Sequence, residues 1–341
     1  MSAAFSEQPL DFFRYIFWKL QISILVACPP LLGAVSNISM NAYKSRRLWL
    51  KTLSQTALQI PRALFCYFRD KLAGRVVMSR LSIPVTTRCN LNCDKCAGHF
   101  QEYRVRADTP LCELERDIRT LLSCVDHIYA VILAGGEAFL HPDLDKIVRI
   151  FADSGKVGSI NVQTNGTLLP DKKLLAAFRD AGVTVKISRY APFLQPDVEQ
   201  LKRLLKENGT QYMHTGGSFW YDSGEIGLPK EGEMPERRFS VCVQQLCLVY
   251  YEGKLHLCAE SLAATKTGRI PISEEDYIDL RANEPAAFSE RLRRLLKKRS
   301  VSACACCLGH TYKTPRVPVA VQRKSVVINA KKEMGQVDRQ L

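Results

Sequence analysis

From residue 81 to residue 214, short apolar runs of strand length alternate with longer stretches whose apolar residues recur at helical spacing. This alternation predicts βα units and a largely parallel sheet, which places the chain in the α/β class. The predicted strands are 81–85, 128–133, 160–164, 183–188 and 210–214. The predicted helices are 144–152, 172–181 and 198–207.

Polar or glycine-rich residues lie at the carboxyl ends of three of these strands, at 135–137, 164–165 and 188. Ligands of parallel sheets bind outside the carboxyl ends of the strands, so these positions are where a site is expected. Two adjacent glycines also allow a backbone to approach a ligand closely. Taken alone, however, the Gly-Gly-Glu group at 135–137 is typical of a tight turn. The same holds for the Asn165-Gly166 pair after the strand 160–164.

Three cysteines, Cys89, Cys93 and Cys96, come directly after the first predicted strand in the pattern C-x-x-x-C-x-x-C. Cysteine thiolates are the usual ligands of iron-sulfur clusters, and this spacing fits three irons of a [4Fe-4S] cluster. An iron without a protein ligand can hold a substrate, as the open position of a catalytic zinc does. The alternative is a zinc loop, which usually pairs C-x-x-C with a second pair of ligands nearby. The spacing therefore favours the cluster.

At this triplet the sequence resembles the radical S-adenosylmethionine (radical SAM) enzymes, whose signature has the same spacing. The resemblance implies that SAM binds the open iron and that the reduced cluster cleaves SAM to a 5'-deoxyadenosyl radical. It also implies a partial (β/α) barrel of parallel strands over residues 81–215 and an electron donor such as flavodoxin or ferredoxin. One departure is Lys95, which stands where many members have an aromatic residue.

The resemblance also implies roles for the strand ends. In radical SAM enzymes a Gly-Gly-Glu segment contacts the amino group of SAM, and a hydroxyl on a later strand end contacts the ribose. Ser188 fits that hydroxyl and equally fits an ordinary strand-end serine. No catalytic side chain is predicted. The predicted cofactor-binding residues are Gly135, Gly136, Glu137, Thr164, Asn165 and Ser188.

A second cysteine group surrounds residues 250–255, where Glu252-Gly253 predicts the turn of a β-hairpin. A hairpin followed by a later C-x-x-C resembles the SPASM and twitch extensions of radical SAM enzymes, which bind an auxiliary [4Fe-4S] cluster. The predicted ligands are Cys242, Cys258, Cys304 and Cys307, with Cys247 and Cys306 as alternatives.

Two other interpretations of this second group stay open. A structural zinc is one, and buried thiols without a ligand are the other, because free cysteine is among the most buried residue types. The remaining cysteines lack ligand-like spacing and are assigned to packing: Cys28, Cys66, Cys112 and Cys124.

The chain has 341 residues, 46% hydrophobic and 24% charged, which is typical of a globular protein with one large domain and additions. Its net charge of +14 is unevenly distributed. Residues 1–80 hold 11 Lys and Arg against 3 Asp and Glu, and residues 291–341 hold 13 against 2. The middle is therefore acidic, which argues against a nucleic-acid substrate bound by the sheet. The basic flanks could contact an anionic membrane, although solvated charge is the commoner explanation.

Residues 12–28 combine aromatic, basic and apolar side chains ahead of two prolines. Charges interrupt the run too early for a spanning helix, so we expect a helix that lies on a membrane surface or packs on the domain. The lack of a clear signal peptide and the grouped thiolates indicate a cytoplasmic protein, peripheral to the membrane if that helix binds it.

The expected organisation is a helical, basic extension (1–80), the radical SAM core (81–215), a small cysteine-rich auxiliary region (216–314) and a basic, mobile tail (315–341).

Two substrate classes follow from resemblance. Residues 188–227 are similar to radical SAM proteins associated with polysaccharide and glycosyltransferase genes, which suggests a sugar or sugar nucleotide. Auxiliary-cluster extensions are common in peptide maturases, which suggests a peptide. A third interpretation is a non-enzymatic scaffold or membrane-associated binding protein in which the cysteines only hold the fold. That interpretation predicts zinc or inert clusters and no consumption of SAM.

Overall fold

The computed structural model describes residues 69–323, apart from residues 71, 217–218, 233, 283–284 and 312. The extension predicted for residues 1–80 falls outside these ranges up to residue 68. The segment 12–28, Cys28 and Cys66 also lie outside the described residues. Within the described ranges, we find no helix with the length and apolar character needed to cross a bilayer.

The described chain alternates strands and helices and then continues into shorter elements. The strands are β1 (Val77–Met78), β2 (Leu81–Thr86), β3 (His127–Ile128), β4 (Val131–Gly135), β5 (Ile160–Thr164), β6 (Thr184–Ser188), β7 (Gln211–Thr215), β8 (Phe219–Tyr221), β9 (Leu248–Tyr251), β10 (Lys254–His256), β11 (Tyr277–Asp279) and β12 (Arg316–Pro318). The α-helices are α1 (Leu111–Cys124), α2 (Leu144–Ala152), α3 (Lys172–Asp180), α4 (Val198–Glu207), α5 (Pro235–Ser240), α6 (Ala259–Thr267) and α7 (Pro285–Lys297). Short 3-10 helices cover Phe100–Glu102, Ala138–Leu140, Pro192–Leu194, Val243–Leu246, Glu274–Asp276 and Ser302–Cys306.

The main sheet has eight strands in the order β11-β10-β9-β2-β4-β5-β6-β7. All neighbours from β9 to β7 are parallel, and only the β9–β10 and β10–β11 pairs are antiparallel. The predicted α/β class with a mainly parallel, partial-barrel sheet is therefore confirmed. The predicted run 128–133 is two strands, because β3 pairs with β1 while β4 pairs with β2. The pattern-based prediction also misses α1.

One face of the sheet forms the core with the helices. Side chains alternate between the two faces of a strand, and those on the helical side, such as Ile83, Leu133 and Val185, are fully buried. They pack with Phe151 and Phe178 from the helices. The opposite face, called the inner face below, carries the intervening residues of the same strands. Functional groups on the strands can therefore reach a ligand only from the inner face or from the carboxyl ends.

The cysteine-rich region is joined to the core through the sheet itself. Its hairpin is formed by β9 and β10, with Glu252 and Gly253 at positive φ of 47° and 82°, as the predicted turn requires. Strand β9 pairs in parallel with β2, with Leu248 opposite Leu81. Residue 215 is thus not a break in the architecture, because backbone hydrogen bonds continue across the sheet.

The end of the described chain differs from the predicted mobile tail beginning at residue 315. Strand β12 pairs antiparallel with β8, and residues 321–323 then run along the first cysteine loop. Two backbone hydrogen bonds link them to that loop, from Asp94 N to Val321 O at 2.6 Å and from Arg323 N to Asn92 O at 2.8 Å, and together they form the antiparallel Cys93–Gln322 bridge. These long-range backbone contacts cannot be inferred from a basic segment with little pattern.

A buried carboxylate, Asp117 on α1, connects the core to the cysteine-rich region. Tyr250 Oη donates to Asp117 Oδ2 at 2.7 Å, and Arg281 Nη2 donates to the same oxygen at 2.6 Å. Arg281 also reaches Glu113 at 2.9 Å. Burial disfavours the charged form of Asp117, but the hydrogen bonds from Arg281, Tyr250 and Arg116 outweigh it and lower its pKa.

We expect Asp117→Asn to lower the free energy of unfolding by about 2 kcal/mol at pH 7, because it removes charge-assisted hydrogen bonds that cross between the two regions. A depressed folded pKa means that this contribution is complete above about pH 4 and is lost as the pH falls through the folded value. Urea unfolding of the intact protein measures the change.

Glu113→Gln is the matched control on the same helix. Its carboxylate is 41% exposed, and the change should cost less than about 1 kcal/mol. Equal losses in the two variants would contradict the role given to Asp117.

Candidate active site

The loop that follows β2 carries the first three cysteines at the carboxyl end of the parallel strands. Each thiol accepts hydrogen bonds from N–H groups. Cys89 Sγ accepts from Leu91 N at 3.4 Å, and Cys93 Sγ accepts from Gln322 Nε2 at 3.1 Å. Cys96 accepts from the backbone N–H groups of residues 98–100. Sulfurs surrounded by N–H donors are a suitable environment for a cluster, whose potential depends on such hydrogen bonds.

Burial dominates the acidity of these thiols. It raises the pKa of Cys89 to about 11, against a hydrogen bond from Leu91. It also raises the pKa of Cys93 and of Cys96. Thiols must lose their protons to bind a metal, so loading this loop releases protons.

The two glycines are required by a close backbone approach between β4 and the cysteine loop. A Cβ on Gly135 would lie 2.2 Å from Thr86 O, and one on Gly136 would lie 2.2 Å from Arg88 O and 2.7 Å from Cys89 Cβ. Gly136 N donates to Thr86 O at 3.0 Å, and the next amide, of Glu137, donates to Arg88 O at 2.9 Å. The turn is therefore held against the backbone that positions Cys89.

The carboxylate of Glu137 joins the ends of two neighbouring strands. It is 1% exposed and accepts from Thr164 Oγ1 at 2.8 Å, Asn165 N at 2.6 Å and Phe139 N at 3.0 Å. Burial raises its pKa, against these three hydrogen bonds. The structure thus shows Glu137 organising the site through protein donors, while its predicted contact with the amino group of SAM stays a prediction.

Asn165 continues this connection back to the first cysteine. Its Nδ2 lies 2.8 Å from Asn90 Oδ1 and 3.8 Å from Cys89 Sγ, and its Oδ1 accepts from Thr167. Thr164, Asn165 and Glu137 thus form one hydrogen-bonded group beside the loop. The structure brings these predicted residues together, without a ligand to show what they bind.

Ser188 lies at the carboxyl end of β6, partly exposed. Its carbonyl and that of Asn165 both accept from Gln195 Nε2, at 2.7 and 2.5 Å. Gln195, which the sequence analysis missed, is 3% exposed and fixes the spacing of these two strand ends. Tyr190, two residues after Ser188, meets Trp220 edge-on with the ring centroids 5.9 Å apart.

The second cysteine group surrounds one small cavity. Each of the four predicted ligands lines it: Cys242, Cys258, Cys304 and Cys307. Backbone N–H groups again face the sulfurs, from His310 to Cys242 at 3.3 Å and from Gly309 to Cys307 at 3.1 Å. Four thiols that line one cavity and face N–H donors are the donor set of a cluster held by four cysteines.

The two alternative cysteines lie apart from this cavity's lining. Cys247 is buried at the amino end of β9, where the Arg80 guanidinium donates to its Sγ. Cys306 is buried and does not line the cavity. Cys112 is exposed on α1, and Cys124 ends that helix. In the described residues, no three Cys, His, Asp or Glu side chains converge closely enough for one metal ion.

A buried carboxylate, Glu260, links the two cysteine sites, and pattern analysis gave no signal for it. His99, three residues after Cys96, lies 2.9 Å from Glu260 Oε2, and His310 lies 3.7 Å from Oε1. Burial opposes the charge of Glu260, but the hydrogen bonds from His310 and His99 outweigh it and lower the pKa. Lys95, which departs from the family pattern, also connects the first cysteine loop to the cysteine-rich region. Its Nζ lies 3.1 Å from Asp222 Oδ2.

Gln322 is a third residue that the sequence analysis missed, because it lies in the segment predicted to be mobile. Its Nε2 donates to Cys93 Sγ, and its Oε1 accepts from Asn92 N at 2.9 Å. One side chain thus supports both a sulfur and the backbone of the loop.

Comparison with known proteins agrees with this geometry. Residues 83–210 match the family model of the radical SAM superfamily. The chain is 30% identical over 129 residues to GTP 3',8-cyclase of Aquifex aeolicus (strain VF5), covering 36% of this chain and 38% of that protein. It is 30% identical over 111 residues to the S-adenosylmethionine-dependent nucleotide dehydratase of Selenomonas ruminantium, covering 31% and 38%.

Among solved structures, BtrN in complex with AdoMet and 2-DOIA aligns with a TM-score of 0.44 and 16% identity, covering 73% of this chain and 96% of that one. The matched part spans less than two fifths of the curated relatives named above.

The fold and site define a protein with a mainly parallel α/β sheet and a cysteine triplet at its carboxyl edge. Residues 83–210 carry a radical SAM domain, and proteins of that superfamily use a [4Fe-4S] cluster and SAM.

We expect Gln322→Leu to lower the reduction potential of a [4Fe-4S] cluster bound by the first loop, because a lost N–H···S hydrogen bond leaves the reduced form less stabilised. Outer hydrogen-bond partners of metal ligands typically change affinity or activity by about 10–100-fold, so the iron content after desalting should also fall. Redox titration followed by electron paramagnetic resonance measures the potential.

The control is Val321→Ala, which changes the adjacent side chain, 48% exposed, and should leave the potential unchanged. An unchanged potential in Gln322→Leu would show that this hydrogen bond does not act on the cluster.

Proposed function

We propose that this protein is a radical SAM enzyme in which Cys89, Cys93 and Cys96 hold a [4Fe-4S] cluster. When bound, the cluster and SAM supply the reductive cleavage that yields a 5'-deoxyadenosyl radical, which abstracts hydrogen from the substrate. The observation that carries this proposal is the hydrogen-bonded connection from the cysteine loop through the Gly-Gly-Glu turn to the end of β5.

The side chains at the strand ends position SAM. Gly135 and Gly136 let the turn pack against the backbone of the cysteine loop, and their carbonyls are suited to accept from an ammonium group. Glu137 orients Thr164 and Asn165 at the neighbouring strand end. Ser188 has a hydroxyl on the next strand that suits a ribose. These roles keep SAM at the edge of the sheet, with the inner face left for the substrate.

A second [4Fe-4S] cluster in the cavity of Cys242, Cys258, Cys304 and Cys307 completes the proposal. Glu260 lies between the two sites and fixes their relative position through His99 and His310. The auxiliary cluster would bind substrate or pass an electron. The region 216–314 would then be the SPASM- or twitch-like unit, built on an extension of the core sheet.

A sugar or sugar nucleotide is the substrate class we propose. The similarity to a GTP cyclase and to a nucleotide dehydratase supports a nucleotide-type substrate, within the limited part of those proteins that the chain matches. A peptide substrate is the alternative, and it predicts tight binding of a short precursor peptide. Flavodoxin or ferredoxin would donate the electron. A cytoplasmic location with contact at the membrane surface completes the proposal.

Anaerobic reconstitution followed by a dithionite-driven assay for 5'-deoxyadenosine tests this function. Two [4Fe-4S] clusters give about eight irons per chain. Zinc in place of iron, without SAM binding, would instead support the non-enzymatic scaffold.

Cysteine variants separate the two sites. Cys93→Ala should abolish SAM cleavage, because it removes one of three ligands of the reactive cluster. Cys258→Ala should spare that cluster and reduce the iron to about four per chain. Iron and sulfide counts with the 5'-deoxyadenosine assay provide the measurement.

Cys306→Ala and Cys112→Ala are the controls. Cys306 is buried near the cavity without lining it, and Cys112 is exposed, so both variants should keep about eight irons. Loss of both clusters in Cys258→Ala, or of the second cluster in Cys306→Ala, would contradict the ligand assignment.

A further inference from the structure

Two cations, Lys186 and Arg80, lie on the inner face of the sheet. Lys186 is the middle residue of β6, between Val185 and Ile187, which are fully buried on the helical side. Arg80 immediately precedes Leu81, which is also fully buried there. Because side chains alternate along a strand, both cations point toward the inner face. Both are partly buried.

Neither cation is neutralised by a carboxylate within the described part of the chain. No ion pair or hydrogen bond is found for the Lys186 ammonium there, and Arg80 meets the Cys247 thiol through Nη2 while its Nε is buried without a partner. The five parallel strands β2, β4, β5, β6 and β7 contain no Asp or Glu. A buried charge without a counter-ion is costly, so such groups are usually paired.

Strands β4 and β5 lie between β2 and β6 in the sheet, and Arg80 is a charge that acts on the Lys186 ammonium across them. Burial lowers the pKa of Lys186, the positive charge of Arg80 lowers it further, and Cys247 opposes this change. The residues paired with Lys186 in the register are Gln163 and Met213. Both are uncharged, and the Gln163 amide can donate a hydrogen bond to an anion. Gln163 is exposed although it lies in a central strand, which shows that the inner face is open beside Lys186.

We propose that Lys186 and Arg80 bind the phosphate or diphosphate group of a small-molecule substrate on the inner face of the sheet. Lysine is a compact point charge and arginine a planar donor, and both are common ligands of phosphate. Two cations match the double negative charge of a phosphate monoester or diphosphate better than the single charge of a carboxylate.

The position of the two cations suits a substrate that extends from them to the carboxyl edge of the sheet. Lys186 precedes Ser188 by two residues, or about 7 Å at the rise of a β-strand, and Arg80 lies at the amino end of β2. The phosphate would anchor the far end of the molecule, leaving its carbon skeleton near the carboxyl edge where SAM binds. This inference deepens the proposed function and rests on it for the chemistry at that edge.

Calorimetric titration of inorganic pyrophosphate into the anaerobically purified full chain tests the site, without SAM or reductant and at low salt. Charge-assisted hydrogen bonds of this kind correspond to about tenfold or more in affinity. Arg80→Gln and Lys186→Gln should each weaken binding by that factor, and Lys186→Arg should retain it. Lys206→Gln, which changes an exposed lysine on α4, is the matched control and should bind as the parent does.

The thermal midpoint distinguishes a binding role from a structural one. Lys186→Met removes an unpaired, partly buried charge, so it should keep or raise the midpoint while weakening pyrophosphate binding. A lower midpoint with unchanged binding would mean that Lys186 supports the fold, and would overturn the proposal. No pyrophosphate binding by the parent, or equal binding by the parent and both Gln variants, would also overturn it.

Competition separates the sources of the anion. Displacement of pyrophosphate by a nucleoside diphosphate indicates a nucleotide, and displacement by a sugar phosphate alone indicates a phosphosugar. Stronger displacement by an acidic peptide would overturn the assignment to phosphate. Variant-dependent pyrophosphate binding without 5'-deoxyadenosine formation would retain the anion site and reject the proposed enzyme activity, whereas the reverse pair of results would reject only the anion site.

Discussion

The arrangement of the site depends on one buried carboxylate, that of Glu137. A buried acid is stable only when its oxygens are paired, and here they accept from Thr164, Asn165 and the backbone of Phe139. The backbone of the same residue is held to Arg88 beside the first cysteine. Glu137 thereby fixes the spacing of the ends of β2, β4 and β5, which is the spacing that a ligand between these strands would meet.

The cysteine-rich region is positioned by similar polar contacts at greater sequence separation. The hairpin extends the core sheet through β9, and Asp117 draws Tyr250 and Arg281 against α1. Glu260 then connects the loop of the first cysteines to the lining of the second cavity. Continuous backbone pairing and buried charged contacts together make the two sites parts of one architecture, so a change at one site can alter the geometry of the other.

Local patterns predicted the elements whose amphipathic character is strong. The helices 144–152 and 198–207 and the strand 160–164 have the predicted bounds, because the apolar residues that define them also face the core. The run 128–133 was predicted as one strand and is two, since hydropathy cannot show that its halves pair with different partners. The hairpin at Glu252-Gly253 was predictable because its turn needs residues that tolerate positive φ.

The sequence by itself determined the α/β class, the cysteine spacing and the glycine pair, because each depends on residues close together in the chain. Tertiary structure alone decided which groups meet across long separations. It placed Gln322 on Cys93 and Glu260 between two histidines. It also placed Lys186 and Arg80 on one face, where no carboxylate of the described residues pairs with either. Such contacts depend on the order of the strands and on where later segments pack against earlier ones. Packing of the whole core sets both, and neither leaves a periodic signal in the residues themselves.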